Sequence, residues 1–233
     1  MPLPADPPLS VIIPTLDAAV RLPTTLAALT EGSETGLVRE IIVVDGGSRD
    51  DTARLAAESG ARVLSAPSGR GAQLAAGAAA ASGTWLLFLH ADTQLSSGWS
   101  NAAARFVGNR ANDDRAAYLR FRLDDDGPAA RRLQAMVAWR CRHLALPYGD
   151  QGLLLSAALY RTTGGFRPLP LMEDVDLVRR LGRRRLALLA ADAVTSAERY
   201  RRHGYVLRPM RNLGCLALYF LGVPPHLILP LYR

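Results

Sequence analysis

The sequence predicts an α/β protein with a mostly parallel central sheet flanked by helices. Short apolar, β-branched runs alternate with segments of helical length through the first hundred or so residues, which is the pattern of βαβ units. Polar residues follow several of these runs, where the strand ends of an open sheet form ligand sites. A chain of 233 residues that is 49% hydrophobic can build one sizeable core. We therefore expect a single domain over residues 1–233.

The first two predicted strands share one design. "LSVIIPT" (9–15) is a short apolar run that contains Pro14 near its end, which is typical of a buried strand. "AVRLPTTLAALT" (19–30) predicts the first helix. "REIIVVDGGS" (39–48) predicts a second buried strand that ends in an aspartate and two glycines. The two strands and their helix make the first βαβ unit.

Two further predicted strands alternate with helices in the same way. "RDDTARLAAESG" (49–60) predicts a helix with acidic residues in its first turn and a glycine at its end. "ARVLSAP" (61–67) predicts the third strand, and "GRGAQLAAGAAAASG" (69–83) a loop that leads into an alanine-rich helix. "TWLLFLHADT" (84–93) predicts the fourth strand.

The second half of the chain is less regular. "AAYLRFRLDDDG" (116–127) predicts a strand that ends in an acidic turn, and the next nineteen residues (128–146) predict a helix with proline in its first turn. "YGDQGLLLS" (148–156) predicts a loop running into a strand. An amphipathic helix is predicted over 172–186, because acids open it and arginines close it. "LALLAADAVTS" (186–196) predicts a last strand.

The composition favours an anionic ligand. All 28 basic residues are arginine and the net charge is +7, and a planar guanidinium suits phosphate. We expect no nucleic-acid partner, because no basic run is interleaved with aromatic residues. Cys141 and Cys215 are far apart, which indicates a reducing compartment. With neither signal-peptide features at the start nor a long apolar run, we expect a cytoplasmic protein, at most peripheral at the inner face of the cell membrane.

Polar side chains follow three of the predicted strands at one edge of the sheet: Thr15 and Asp17, then 45–48, then His90 and Asp92. Carboxylates suit Mg²⁺ or Mn²⁺, which bridge protein oxygens and substrate phosphates, and Mn²⁺ accepts a histidine nitrogen more readily. A turn-capping aspartate beside a packed histidine would explain "HAD" alone. The three strand ends together favour a metal site for a diphosphate.

Two glycine-rich loops supply further candidates. Asp45 precedes Gly46 and Gly47, so its carboxylate could accept hydrogen bonds from a nucleobase or ribose, although an ordinary turn is the simpler explanation of this motif alone. Arg70 lies between two glycines just before a helix, which predicts an anion site. The motif follows the third strand and has Leu74 in place of a last glycine, so we do not interpret it as a dinucleotide fingerprint.

Two acidic motifs fall in the second half. Glu173 and Asp174 open the helix after "PLPLM", where one carboxylate could take a proton from an acceptor hydroxyl or both could serve the helix dipole. "YGDQG" offers Gly149, Asp150 and Gln151, whose donor and acceptor groups suit sugar hydroxyls, or the segment is an ordinary loop.

With these motifs in hand, the chain resembles a family 2 glycosyltransferase with the GT-A fold over residues 9–190. "SVIIPTLDAA", "EIIVVDGGSRDDT", "FLHADT", "GDQGLLLSAALYRTTGGF" and "LPLMEDVDLVRRL" come in the family's order. The likeness is greatest to a bacterial subfamily, the radical-SAM/selenodomain-associated transferases, whose metal motif is His-Ala-Asp. The resemblance divides the domain into a nucleotide-sugar-binding half (9–110), an acceptor and catalytic half (111–198) and a basic, then apolar tail (199–233).

The resemblance also implies roles for single residues. Asp92 matches the last aspartate of the DxD motif, which binds Mn²⁺ or Mg²⁺, and His90 takes its first position. Asp174 matches the aspartate of the "ED" motif, the catalytic base, with Glu173 beside it. Gly149, Asp150 and Gln151 are expected to contact acceptor or sugar. The residues expected to bind the nucleotide sugar are Pro14, Thr15, Asp17, Asp45, Gly46, Ser48, Arg70, Ala91 and Asp92.

The function so implied is transfer of one sugar, with inversion, from a UDP-sugar or another nucleoside diphosphate sugar to an unknown hydroxyl acceptor. The QxxRW motif of processive members is missing, because Gln134 and Trp139 are wrongly spaced and precede the "ED". Two alternatives stay open: a nucleotidyltransferase that makes sugar nucleotides, and an inactive nucleotide-binding protein. The first would need a glycine-rich basic loop after strand one, which "PTLDAAVRLP" lacks.

The tail allows two roles. It is strongly apolar over 213–232, broken by three prolines, and preceded by arginines at 199, 201, 202, 208 and 211. Such a segment could lie on an anionic membrane, or it could cover the sheet or form a homodimer contact. His203 and His226 are candidate C-terminal metal ligands, though each is more simply an ordinary histidine.

Overall fold

The computed structural model describes residues 7–232, without the side chains of Arg199, Arg202 and His203. The ends of the predicted domain, 1–6 and 233, lie outside the described residues, as do the predicted roles of those three side chains. The strands are β1 (Leu9–Thr15), β2 (Val38–Asp45), β3 (Arg62–Ser65), β4 (Trp85–Phe88), β5 (Thr93–Leu95), β6 (Ala116–Leu123), β7 (Leu153–Ser156) and β8 (Leu186–Thr195). The α-helices are α1 (Leu22–Glu34), α2 (Thr52–Glu58), α3 (Arg70–Ala80), α4 (Trp99–Val107), α5 (Pro128–Leu144), α6 (Ala157–Thr162), α7 (Glu173–Leu181), α8 (Glu198–His203), α9 (Leu207–Phe220) and α10 (Pro225–Tyr232).

The strands form one sheet in the order β3-β2-β1-β4-β7-β6-β8-β5, which confirms the predicted α/β class. In its first half, β1 pairs in parallel with both β2 and β4, and β3 pairs in parallel with β2. The register sets Thr15 opposite Asp45, so the polar residues that follow β1 and β2 emerge together at one edge.

The second half of the sheet is mixed. β7 runs antiparallel to both β4 and β6, β8 returns parallel to β6, and β5 runs antiparallel to β8. Parallel pairing therefore dominates only the first half of the sheet, where the sequence showed a regular alternation of strands and helices.

The predicted fourth strand (84–93) was too long. β4 ends at Phe88, and the next residues turn out of the sheet with a hydrogen bond from the Thr93 N–H to the His90 carbonyl (3.2 Å). Thr93 then begins β5, which pairs with β8 instead. The turn is what places His90 and Asp92 beyond the strand end, where a continuous strand would have kept them within the sheet.

The core lies on both faces of the sheet. Along β1, Val11 and Ile13 pack into the cluster beneath α1 and α4, and Ile12 packs into the opposite cluster with Leu74 of α3. This period of two explains why β1 is a run of apolar residues without alternation: both of its faces are buried.

The tail closes over the second half of the domain. Cys215 and Leu216 of α9 and Ile228 of α10 are buried against Leu146 and against Val175 in the first turn of α7. Of the two predicted roles, covering is therefore realised, although the covered element is α7 and its neighbouring loop instead of the sheet. Among the described residues, no helix combines the length and hydropathy that crossing a membrane requires.

Candidate active site

Two connected cavities open at the carboxyl ends of β1 and β4. Arg70, His90 and Asp92 line both of them. The first, the outer cleft, is also lined by Pro14, Thr15, Leu16, Asp17, Ala18, Val20, Arg21, Ser68, Gly69, Gln73, Ala91 and Glu198. The second, the inner cavity, is also lined by Tyr148, Gly149, Asp150, Leu171, Met172, Asp174, Val175, Thr195, Ser196, Tyr200, Arg208, Asn212 and Tyr232. Most of the sequence-predicted site residues therefore converge on one continuous space.

Asp45 organises the turn beside the outer cleft. Its Oδ2 accepts from the backbone N–H groups of Gly47 (3.0 Å) and Ser48 (2.9 Å), and its Oδ1 accepts from the hydroxyls of Ser48 and Thr15. Burial alone would raise the pKa of Asp45, but these hydrogen bonds outweigh it and lower the pKa. The carboxylate is therefore ionised and largely satisfied by its own loop.

Asp17 joins the first loop to the second. It adopts a left-handed backbone (φ +49°), and its Oδ1 accepts from the Arg49 N–H (2.8 Å) while its own N–H donates to the Ser48 hydroxyl (2.9 Å). Such a conformation costs a non-glycine residue about 1 kcal/mol or more, and the two hydrogen bonds hold it in place. Asp17 thereby fixes the wall of the outer cleft.

Gln73, which the sequence analysis did not single out, locks the same wall. Its amide donates to the carbonyls of Thr15 and Val44 (2.8 Å each), so it ties α3 to the ends of β1 and β2. A Cβ on Gly46 would lie 3.0 Å from this amide, which explains the glycine by packing. The signal available in the sequence was a single glutamine in the alanine-rich predicted helix.

Arg70 and Glu173 form an ion pair behind the place where the cavities meet. The Arg70 Nε lies 2.9 Å from the Glu173 Oε1, with the arginine side chain 37% exposed and the glutamate only 1%. Burial raises the pKa of Glu173 to about 7, against the attraction of Arg70, and its Oε2 has no hydrogen-bond partner. Glu173 therefore faces Arg70 and supports it, and it does not line the inner cavity.

Asp174 lies in the inner cavity at the start of α7. Its Oδ2 accepts from the Gly149 N–H (2.6 Å) and its Oδ1 from the Val175 N–H (2.7 Å). A Cβ on Gly149 would lie 2.5 Å from the His90 Nε2 and 3.3 Å from the Asp174 Oδ2. Only glycine fits here, because this backbone passes between the imidazole from the β4 turn and the carboxylate of α7.

Asp150 is the least satisfied carboxylate of the cavity. Its Oδ1 is buried without a hydrogen-bond partner. Burial, with added repulsion from Asp174 and Asp92, raises the pKa of Asp150 to about 6, although Arg140 opposes the shift. The nearby positive charges of Arg140 and Arg70 therefore do not outweigh the effect of burial on this carboxylate.

Gln151 holds the loop and lies behind the cavity. Its side chain is buried; the Nε2 donates to the Leu119 carbonyl (3.0 Å), and the Oε1 accepts from the Arg140 guanidinium (3.2 Å). The same guanidinium lies 3.4 Å from the centre of the Tyr148 ring, so it also fixes that wall of the inner cavity. Tyr148 opens the YGDQG motif but was not among the predicted contacts, and Arg140 carried no motif in the sequence.

A divalent cation fits these residues. Among the described residues no three His, Cys, Asp or Glu side chains form a complete ion site. Mg²⁺ and Mn²⁺ usually need only one or two protein carboxylates plus substrate phosphates, so a complete site is not required. Asp92 and the unpartnered Asp150 oxygen provide hard ligands for that arrangement, and His90 lies beside them.

The tail supplies a wall that the sequence did not predict. Tyr200, Arg208, Asn212 and Tyr232 reach the inner cavity from α8, α9 and α10. The Arg208 guanidinium lies 5.5 Å from the centre of the Tyr200 ring, and burial raises the pKa of Tyr200 to about 12. These residues lie at least 26 positions beyond Asp174 in sequence, so only the folded tail brings them to the cavity.

Comparisons with known proteins identify the family of the chain. The model of the family described as glycosyl transferase family 2 matches residues 10–161. A PGL/p-HBAD biosynthesis glycosyltransferase of Mycobacterium tuberculosis is 36% identical over 118 residues, which cover 47% of this chain and 45% of that protein, and one of Mycobacterium bovis gives the same values. The chain thus spans less than half the length of these curated relatives.

Solved structures share the fold. Glucosyl-3-phosphoglycerate synthase from M. tuberculosis, in complex with Mn²⁺, UDP and glucosyl-3-phosphoglycerate, superposes with a TM-score of 0.61 at 24% identity, covering 82% of this chain and 71% of the other. S. aureus TarS (residues 1–349) superposes with a TM-score of 0.63 at 19% identity, covering 80% and 60%. At such identities the likeness establishes the fold alone.

Proposed function

The chain belongs to glycosyl transferase family 2, and we propose that it moves one sugar from a nucleoside diphosphate sugar, with UDP as the expected nucleotide, to a hydroxyl acceptor. One observation carries the proposal: a guanidinium (Arg70), an imidazole (His90) and a carboxylate (Asp92) stand where the outer cleft meets the inner cavity. Charge that develops on a departing diphosphate at this junction would meet positive and metal-binding groups.

The nucleotide belongs in the outer cleft on this proposal. Pro14, Thr15, Asp17 and Ala91 line the cleft, and the satisfied Asp45 turn with Gly46 and Ser48 keeps its edge in shape. Arg70 would contact the diphosphate through the fork that its partner Glu173 leaves exposed. A Mn²⁺ or Mg²⁺ ion, held by Asp92 with Asp150 or His90, would neutralise the diphosphate as it leaves.

The acceptor belongs in the inner cavity, with Asp174 as its base. The two backbone N–H groups that Asp174 accepts from orient the carboxylate and leave lone pairs for an acceptor hydroxyl. A single base without an enzyme nucleophile implies inversion at the anomeric carbon. In this scheme Glu173 is a positioning residue for Arg70, and Gln151 holds the loop that carries Gly149 and Asp150.

The tail bounds one side of the inner cavity, which favours transfer of a single sugar over extension of a polymer. Tyr232 and Arg208 bound the inner cavity on the side of α9 and α10. The relation to the subfamily with a His-Ala-Asp motif remains part of the proposal, and it rests on the place of His90 beside Asp92 at the junction.

Donor hydrolysis tests the proposal without knowledge of the acceptor. The protein is incubated with UDP-, GDP- and dTDP-sugars and Mn²⁺, and nucleoside diphosphate and pyrophosphate are both quantified. We expect slow release of one nucleoside diphosphate, abolished by EDTA and by Asp92→Ala. The control variant Asp113→Ala should leave the release unchanged, because the Asp113 side chain is exposed and lines neither cavity. Release of pyrophosphate would instead support a nucleotidyltransferase, and binding without turnover of any donor would support the inactive alternative.

A further inference from the structure

The C-terminal helices carry apolar side chains on their outward side as well as on their inward side. On the inward side, Cys215, Leu216 and Ile228 are buried against the domain. The outward set, which we call the tail face, consists of Leu207, Met210, Leu213, Phe220, Leu227 and Leu231. On α9 its members are spaced by three, three and seven residues, which keeps them on one side of the helix.

The tail face is strongly exposed. Leu207 is 73% exposed and Leu213 64%, and no described part of the chain covers them. Exposed apolar side chains grouped on two packed helices of a folded protein indicate an interaction surface. A helix that is apolar on two sides needs an apolar environment on both, and the domain fills only one.

The charge around the tail face indicates what covers it. Residues 199–233 contain six arginines and no aspartate or glutamate. The guanidinium of Arg179 in α7 lies 4.8 Å from the centre of the Phe220 ring, so a positive charge stands at the edge of the tail face. An apolar surface within an arginine-rich segment that contains no acidic residue matches an anionic lipid surface.

We propose that the tail face docks on an anionic lipid bilayer, with α9 and α10 lying in the plane of its headgroups. The two helices are 14 and 8 residues long, which is too short to span the bilayer and suits an orientation in the plane of its headgroups. A second copy of the chain is a poorer occupant, because a symmetric contact would bring the two acid-free, arginine-rich tails together. The inference goes beyond the proposed glycosyl transfer, since the tail face lines neither cavity.

Vesicle flotation tests the proposal with the full chain. Wild-type protein is mixed with vesicles of phosphatidylcholine alone, or of phosphatidylcholine with phosphatidylglycerol. The test variant Met210→Glu/Leu213→Glu places charges on the tail face at positions where both side chains are exposed. The matched control is Leu188→Glu, because Leu188 is 55% exposed on β8 and lies outside the tail face. Arg179→Gln removes one charge from the edge of that face.

We expect wild type and Leu188→Glu to float with anionic vesicles only, and to be released by salt because the attraction is screened. The double variant should lose at least about tenfold in vesicle affinity, and Arg179→Gln a few-fold. Unchanged thermal melting of each variant shows that the fold is retained. The proposal is overturned if wild type does not float, if the double variant floats as wild type does, or if the double substitution instead dissociates a dimer that ignores vesicles.

Discussion

The carboxylates of Asp45 and Asp150 differ in what satisfies them. Asp45, in the turn beside the outer cleft, accepts hydrogen bonds from two backbone N–H groups and two hydroxyls, and its pKa is lowered. Asp150, in the inner cavity, leaves Oδ1 buried without a partner, and its pKa is raised to about 6. The Asp45 carboxylate is therefore satisfied within the protein, whereas we propose that a bound ligand satisfies the unpartnered oxygen of Asp150.

The difference separates structural groups from functional ones. A buried, unpaired charge destabilises the folded protein, so its presence indicates a functional role. Glu173 is comparable only in part, because its Oε2 is also unpartnered but its Oε1 pairs with Arg70. Both lie within the electrostatic reach of Arg70 and Asp174, the residues that we propose for catalysis.

The largest expected effect lies in the inner cavity. Asp174→Asn should lower turnover by about 10²–10⁴, because the amide cannot take the proton of the acceptor hydroxyl. Nucleotide affinity should change by no more than about twofold, because the donor is expected to bind in the outer cleft. Steady-state kinetics with the hydrolysis assay and titration with the nucleotide measure the two quantities separately. Near-normal turnover in Asp174→Asn would remove Asp174 from the chemistry.

The ion pair of Arg70 and Glu173, behind the place where the cavities meet, should affect both the stability of the fold and the binding of diphosphate. Arg70→Gln leaves Glu173 buried without its partner and should destabilise the fold by about 2 kcal/mol, less than for a fully buried pair because Arg70 is partly exposed. Adding Glu173→Gln should restore most of the stability in urea unfolding. Diphosphate affinity should stay low in the double variant, since the guanidinium is still missing. Recovery of both properties would show that Arg70 serves the fold alone.

The smallest expected effects are changes in stability at the two carboxylates. The same Asp→Asn substitution should destabilise the protein at one position and stabilise it at the other. Asp45→Asn should destabilise by about 1–2 kcal/mol, since it weakens several buried hydrogen bonds. Asp150→Asn should stabilise by about 1 kcal/mol near pH 8, since it removes an unpaired buried charge. Chemical unfolding of both variants against wild type measures the difference.

The pH dependence of the stability changes in these two variants follows from the directions of the two pKa shifts. The folded pKa of Asp150 lies above its unfolded value, so wild-type stability from this group falls as the pH rises from about 4 to about 7. The gain in Asp150→Asn should therefore shrink as the pH is lowered to about 5. The folded pKa of Asp45 is lowered, so the stability that it contributes is lost as the pH falls. A pH-independent gain in Asp150→Asn would contradict the proposed buried charge.

The first half of the fold followed from the sequence because its elements are local. The bounds predicted for β1 match the structure, since an apolar run of one strand's length with proline near its end has few other solutions. The fourth strand was predicted too long, because the turn at His90 depends on pairing with β8, about a hundred residues away. The local sequence pattern carries no information about pairing between strands so far apart in the chain.

The site divides in the same way. Strand-end motifs predicted the convergence of Thr15, His90 and Asp92, because parallel strands end at one edge. Tyr232 and Arg208 carried no signal, since only tertiary packing of α9 and α10 returns them to the cavity. Gln151 was predicted as a contact for sugar or acceptor, and its amide is instead engaged by the backbone of β6 and by Arg140.

Calorimetric titration with UDP tests the central claim, that the inner carboxylates complete a metal and diphosphate site. Wild type is titrated with Mn²⁺ or with EDTA, and Asp92→Ala and Asp150→Asn follow under the same conditions. We predict binding that requires the metal, disappears in Asp92→Ala and weakens in Asp150→Asn. UDP affinity that is the same with EDTA, or the absence of binding by UDP, GDP and dTDP alike, would contradict the account.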